Sequence, residues 1–157
     1  MATVTNEIEI ASSFPAEKVF KAFKNFEIIA PKVLTAVFKS IDTIEGNGGV
    51  GTVKLITFGD AVPFTQAKYK VDTFDESNFS YSYTFFEGDN LMGILASITQ
   101  HVKVIPSGEG CTFKQTIVYN CKGDEKPSKE TLKTEKEIYE QTYKAIEAYA
   151  AAHPEEY

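Results

Sequence analysis

The sequence predicts an α+β fold: a curved, seven-stranded antiparallel sheet wrapped around one long C-terminal helix, with two short helices near the N-terminus. Three observations predict it. Seven runs alternate apolar and polar residues with period two, short turn-rich connections separate most of them, and the last long segment switches to helical spacing.

The elements follow in chain order. Residues 3–10 alternate as a strand with Val4, Ile8 and Ile10 on one side, and Ser12, Ser13 and Pro15 end it. Ser13 is the expected cap of a first short helix, in which Val19, Phe20 and Phe23 recur at helical spacing through Lys24. A second short helix is expected over 27–35, with Pro31 near a bend. Period two then holds over 37–44, 52–58, 64–74, 78–86, 96–105 and 111–121, with connections short enough for antiparallel neighbours. Beyond Gly123-Asp124 and Pro127-Ser128 the spacing is helical over 128–152. Leu132, Glu135, Ile138, Tyr139, Thr142, Ile146 and Tyr149 share one side, and Lys133, Lys136, Glu140, Lys144 and Glu147 the other.

A seven-stranded sheet must bury one face, yet the long helix is only about 10–12 Å wide with its side chains. It cannot fill the concavity, so an internal cavity is expected. The chain's 157 residues suit a single domain, 1–157. A net charge of −6 argues against a nucleic-acid partner, and no apolar run is long enough to span a bilayer. The N-terminus carries Glu7 and Glu9 where an export signal needs a basic start and an apolar stretch, so a cytoplasmic location is expected. Cys111 and Cys121 fall within one strand, too far apart for a disulfide, and no zinc-ligand spacing joins them to His101 or His153. No cofactor or metal is expected.

Gly46-Asn47-Gly48-Gly49-Val50-Gly51 satisfies G-x-G-x-x-G literally. A dinucleotide site needs a helix after that motif, and an alternating strand follows here. The expectation is a glycine-rich β-turn, with a weak anion nest as the functional alternative. Twelve phenylalanines and eight tyrosines, with no tryptophan, are the second signal. Phe79, Tyr81, Tyr83 and Phe85 share one face of a strand, and repeated inward tyrosines favour a wet or ligand-filled interior, because buried hydroxyls need partners. Gln100 and Gln115 point the same way if they share that face.

Catalytic sets are thin, and no catalytic residue is assigned. His101 alternates on a strand as an exposed or satisfied residue. Glu135 facing a cavity would have a raised pKa, although pairing with a helix lysine is its simpler fate. Lys114 has the parity of a solvent-facing residue.

These segments together resemble the plant pathogenesis-related class 10, Bet v 1-like family over the whole chain. The resemblance rests on Glu45-Gly46-Asn47-Gly48-Gly49-Val50-Gly51-Thr52, Tyr81-Ser82-Tyr83 leading to Glu87-Gly88-Asp89, Lys122-Gly123-Asp124, and Ala145-Ile146-Glu147-Ala148-Tyr149. It implies the helix-grip fold, with the short helices in a V, and a large hydrophobic cavity for plant small molecules: flavonoids, cytokinins, sterol hormones or alkaloid intermediates. By position it implies a lining of Phe23, Phe38, Ile56, Phe58, Phe64, Tyr81, Tyr83, Ile98, Gln100, Phe113, Gln115, Glu135, Ile138, Tyr139 and Thr142, with Leu91 and Met92 near the mouth and Gly46, Asn47, Gly48, Gly49 and Gly51 as the glycine-rich loop. Tyr139 departs from the small residue many members keep, and should narrow or divide the cavity. The resemblance also implies two enzymatic alternatives. Ribonuclease activity would use Glu147 and Tyr149, but Ala96 replaces an expected acid, so RNA hydrolysis is not expected. Condensation chemistry of specialised metabolism would use Lys114, without the accompanying tyrosine and carboxylate; more broadly, the rival to a carrier is an enzyme of specialised (alkaloid or phenolic) metabolism in which Glu135 or Lys114 acts as acid or base inside the same cavity. The leading expectation is an intracellular carrier or reservoir, monomeric or weakly dimeric, for a small metabolite or hormone.

Overall fold

The computed structural model describes residues 2–157 and has the α+β architecture. Its elements are β1 (Thr3–Ser12), α1 (Ala16–Lys24), α2 (Phe26–Val33), β2 (Phe38–Glu45), β3 (Val53–Phe58), β4 (Gln66–Asp75), β5 (Ser80–Gly88), one 3-10 turn (Asp89–Leu91), β6 (Leu95–Ser107), β7 (Gly110–Cys121) and α3 (Lys129–Ala152). The strands form one sheet in the order β1-β7-β6-β5-β4-β3-β2, every neighbouring pair antiparallel. Hairpins make six of the strands consecutive neighbours, and only β1 crosses, to pair with β7 from Thr3↔Asn120 to Ser12↔Cys111. Register shifts interrupt the β2–β3, β4–β5 and β6–β7 pairs. Such bulges increase local twist and bend the sheet into a trough.

Alternation sets the two faces. In β7, Cys111, Phe113, Gln115, Ile117, Tyr119 and Cys121 are buried and the intervening residues are not. Both cysteines are buried free thiols. No helix among the described residues is long and apolar enough to cross a membrane.

The helix starts differ in detail from expectation. Ser13 does not cap α1: the helix begins after Pro15, whose carbonyl receives the amides of Lys18 and Val19, while Ser12 Oγ takes the Phe14 amide. Proline's fixed φ makes Pro15 the rigid start of the turn. Asn25 alone separates α1 from α2, which closes the V. Ser128 caps α3 by accepting from the Thr131 amide at 3.0 Å.

The long helix does not lie evenly on the sheet. Its fully buried residues, Thr142, Tyr143, Ile146 and Ala150, all sit in its C-terminal half, where α1 and α2 also pack. Leu132, Glu135, Ile138 and Tyr139 are only half-buried. The helix is therefore pressed down at one end and stands off the trough at the other. Tyr143 falls outside the apolar side read from the sequence because the covered stripe here is wider than one row of side chains. Glu147, expected on the solvent side, instead accepts from Ser12 Oγ at 2.6 Å and Tyr143 OH at 2.5 Å.

This clamp gives a stability test. Ile146 is fully buried and Ile105 is 39% exposed. Urea unfolding should show Ile146→Ala losing about 2–5 kcal/mol and Ile105→Ala changing by at most about 0.5 kcal/mol. Equal losses would contradict the position of α3.

Candidate functional site

Between the raised half of α3 and the sheet lies a cavity of about 170 Å³. That is below the roughly 300–1,000 Å³ of typical small-molecule pockets. Phe23, Phe38, Ile56, Phe58, Phe64, Tyr81, Tyr83, Ile98, Gln100, Gln115, Glu135, Ile138, Tyr139 and Thr142 all line it, as does Gly48 of the glycine-rich loop. Three expected residues do not. Phe113 has no exposed surface, because its ring is wedged between Phe23 at 4.7 Å and Tyr143 at 4.6 Å. Leu91, with Met92, packs on the core beside the 3-10 turn, and Asn90 takes the place at the cavity wall.

Sequence reasoning missed several wall residues. Lys54 shares the parity of Ile56 and Phe58, so alternation could have found it; Tyr69 and Val71 reach the wall from β4, and Phe85, read on one face with Tyr81 and Tyr83, from β5. Phe26 and Glu27 reach the wall from α2, and Lys24 and Phe74 from its rim, with no local signal to mark them.

The aromatic wall is continuous. Tyr69 and Tyr83 approach at 4.9 Å between ring centroids, Tyr81 stacks on Tyr83 at 6.0 Å, and Phe85 meets Tyr69 edge-on at 5.4 Å. The hydroxyls of Tyr69, Tyr81 and Tyr83 take no hydrogen bond from the described residues and are open to the space they line. Burial pushes the pKa of all three upward, so they are neutral donor–acceptors.

A polar string crosses the cavity. Gln115 Nε2 donates to Gln100 Oε1, and Gln100 Nε2 donates to Tyr139 OH at 2.9 Å. Tyr139 thus reaches from the mid-helix to β6, which is the physical reason the space is small. One turn earlier, Glu135 accepts from Tyr119 OH at 2.6 Å. This corrects the lysine-pairing expectation: among the described residues no cation pairs with Glu135. Burial raises its carboxyl pKa, and the Tyr119 bond only partly offsets that. Burial and the Glu135 charge together push the Tyr119 hydroxyl up.

Charges guard the rim. Lys54 Nζ meets Glu27 Oε2 at 2.5 Å, joining β3 to α2, and Lys24 Nζ meets Glu76 Oε1 at 2.7 Å, joining α1 to the β4–β5 turn. Lys114 is on the outer face of the sheet, paired with Glu7 at 3.0 Å, and cannot act inside. His101 is exposed. The glycine-rich loop is a β2–β3 turn whose amides are committed internally: Gly48 N to Thr52 Oγ1, Gly49 N to Asn47 Oδ1, Gly51 N to the Val71 carbonyl and Thr52 N to the Gly49 carbonyl. Gly46, at φ +93°, has no room for a side chain, since a Cβ would lie 2.8 Å from Thr52 Cα. Those amides are unavailable as an anion nest. No three His, Cys, Asp or Glu side chains among the described residues are grouped to hold a metal ion.

The family model described as "Pathogenesis-related protein Bet v 1 family" matches residues 1–153. The chain belongs to that family. It is 52% identical over 151 residues to a "Root allergen protein" of Taraxacum officinale, covering 95% of this chain and 96% of that protein. It is 44% identical over 149 residues to a protein of Panax ginseng named "Ribonuclease 2", covering 93% and 96% of the two chains. The crystal structure of Ara h 8.0201 superposes with a TM-score of 0.84 at 31% identity, covering 96% of this chain and 99% of that one. The helix-grip fold is therefore that of the family.

The Glu135 environment predicts a pH effect on stability. Its pKa is raised in the folded state, so the fold binds an extra proton between the ordinary glutamate pKa of about 4.3 and the folded value. Stability from this group is present at low pH and is lost as pH rises through that window. Glu135→Gln should flatten this fall in urea unfolding from pH 4 to 8. A variant curve that keeps the wild-type slope would refute the linkage.

Proposed function

We propose that the protein is an intracellular, defence- or stress-related carrier or reservoir in the plant cytoplasm, monomeric or weakly dimeric, for a small hydrophobic or amphipathic metabolite or hormone such as a flavonoid or cytokinin. One observation carries this reading: three tyrosine hydroxyls with no protein partner face a cavity whose wall is otherwise largely aromatic and aliphatic. Burial of a ligand's apolar surface, at roughly 25 cal/mol per Å², supplies affinity. Tyr81, Tyr83, Gln115 and Tyr139 orient the ligand through its polar atoms.

The name of the ginseng relative favours a second reading, RNA cleavage. The charge of −6 and the engagement of Glu147 by Ser12 and Tyr143 support the carrier over it. A lysine-dependent condensation is disfavoured because Lys114 faces solvent and pairs with Glu7.

Displacement of an apolar fluorescent probe tests the carrier reading, and the absence of saturable binding would remove it. Tyr139→Ser should widen the cavity and strengthen binding of a four-ring sterol by about tenfold or more, the equivalent of roughly 1.4 kcal/mol. Unchanged sterol affinity would mean that Tyr139 does not limit ligand size.

A further inference from the structure

Glu135 and Tyr139 are four residues apart on α3, which sets their side chains one above the other on a single helix face. Both line the cavity, and each is held by a different part of the sheet. Tyr119, fully buried on β7, donates to Glu135 Oε1 and so fixes the carboxylate, leaving Oε2 to meet an incoming proton. Tyr139 receives its bond from Gln100, which is itself bonded by Gln115, so two amides in series donate toward the tyrosine oxygen. A hydroxyl that accepts in this way keeps its own proton free and becomes the stronger donor. The cavity thus presents a fixed carboxylate next to a polarised phenol, inside apolar walls that strengthen both.

We propose that this face of the cavity is a proton-transfer site for small cyclic or aryl ketones, in which Glu135 removes the hydrogen α to a carbonyl whose oxygen is hydrogen-bonded by Tyr139. This extends beyond storage and rests only on the cavity admitting a small apolar molecule. The C–H bond breaks, its electron pair forms the carbon–carbon double bond of an enolate, and the carbonyl π pair moves to oxygen, where the Tyr139 hydroxyl stabilises it. The protonated Glu135 then returns the proton to the same carbon, giving exchange. With a β,γ-unsaturated ketone it delivers the proton to the γ carbon and shifts the double bond. Atoms and charge balance without an oxidant, reductant or metal. A carboxylate base opposite a phenolic donor in an apolar pocket is a chemically sufficient set for enolisation. Burial supports it, because desolvation makes Glu135 a stronger base than an exposed glutamate. The groups facing the pair are the Tyr119 hydroxyl from β7, with Asn6 of β1 beside it, and Tyr83 from β5. A cavity of about 170 Å³ selects ketones of one or two rings.

The test is hydrogen–deuterium exchange of β-tetralone, a two-ring ketone, followed by proton NMR in D2O buffer, with its binding measured separately by probe displacement. Exchange should accelerate saturably over buffer. Glu135→Gln should lower the rate by about 100-fold, and Tyr139→Phe should lower kcat by about 100-fold with little change in KM. Lys114→Ala, on the outer face, should leave exchange unchanged. Tyr119 is a positioning residue: its hydrogen bond lowers the Glu135 pKa, so Tyr119→Phe should move the midpoint of the pH–rate profile upward. Tetralone that binds without accelerated exchange, or exchange that survives in Glu135→Gln, overturns the proposal and leaves the carrier reading standing. Failure of tetralone and of every apolar probe to bind overturns both.

Discussion

The structure depends on a mismatch of widths. Seven hydrogen-bonded strands make a trough far broader than one helix, and only α3 runs along it. The short helices settle how the mismatch is shared. Where α1 and α2 pack, Phe23, Phe113 and Tyr143 interleave and α3 is drawn down into a dry, ring-filled contact. Toward its N-terminal half no such ring packing draws it down; single hydrogen bonds from Asn6, Tyr119 and Gln100 tether it to the sheet across open space.

That division explains why polar side chains survive in the interior. Close packing at the clamped end leaves no place for unpaired hydroxyls, and its one carboxylate, Glu147, receives two short donors. At the open end, tyrosines, glutamines and Glu135 sit on walls rather than in contacts, and each finds a partner across the gap or faces it. Tyr139 belongs to both regimes: its ring fills volume as a core residue would, while its hydroxyl closes the Gln100–Gln115 string. This ring trades capacity for a defined polar geometry.

Much of this was legible in the sequence. Strand alternation gave all seven strands, and Ser128 marked the start of α3, because each of these signals is local. The lining was largely legible as well, through parity and the family pattern. What local periodicity does not encode is the distance between elements. Phe113 has the right parity for the cavity, yet Phe23 and Tyr143 close over it. Glu135 has lysine neighbours on its own helix, but the helix faces β7, where Tyr119 waits. Lys54 and Glu27 meet only because α2 folds over β3, and no spacing in the chain predicts such a pair. Tyr143 and Glu147 were hidden because a helix gripped on three sides buries more of its circumference than one stripe.

The pairing of the first strand with the last has a consequence in time. Thr3 pairs with Asn120, so β1, the first of the seven strands in the chain, has no neighbour until β7, the last of them, has been made. The hairpins from β2 to β7 can form locally, whereas closure of the trough waits for a contact that spans the sequence, and such long-range closure is what makes a topology slow to fold. The alternating charges Glu7 and Glu9 on β1 keep this waiting edge from pairing with its like, and because β1 stays at the margin of the finished sheet the same charges guard its free side afterwards.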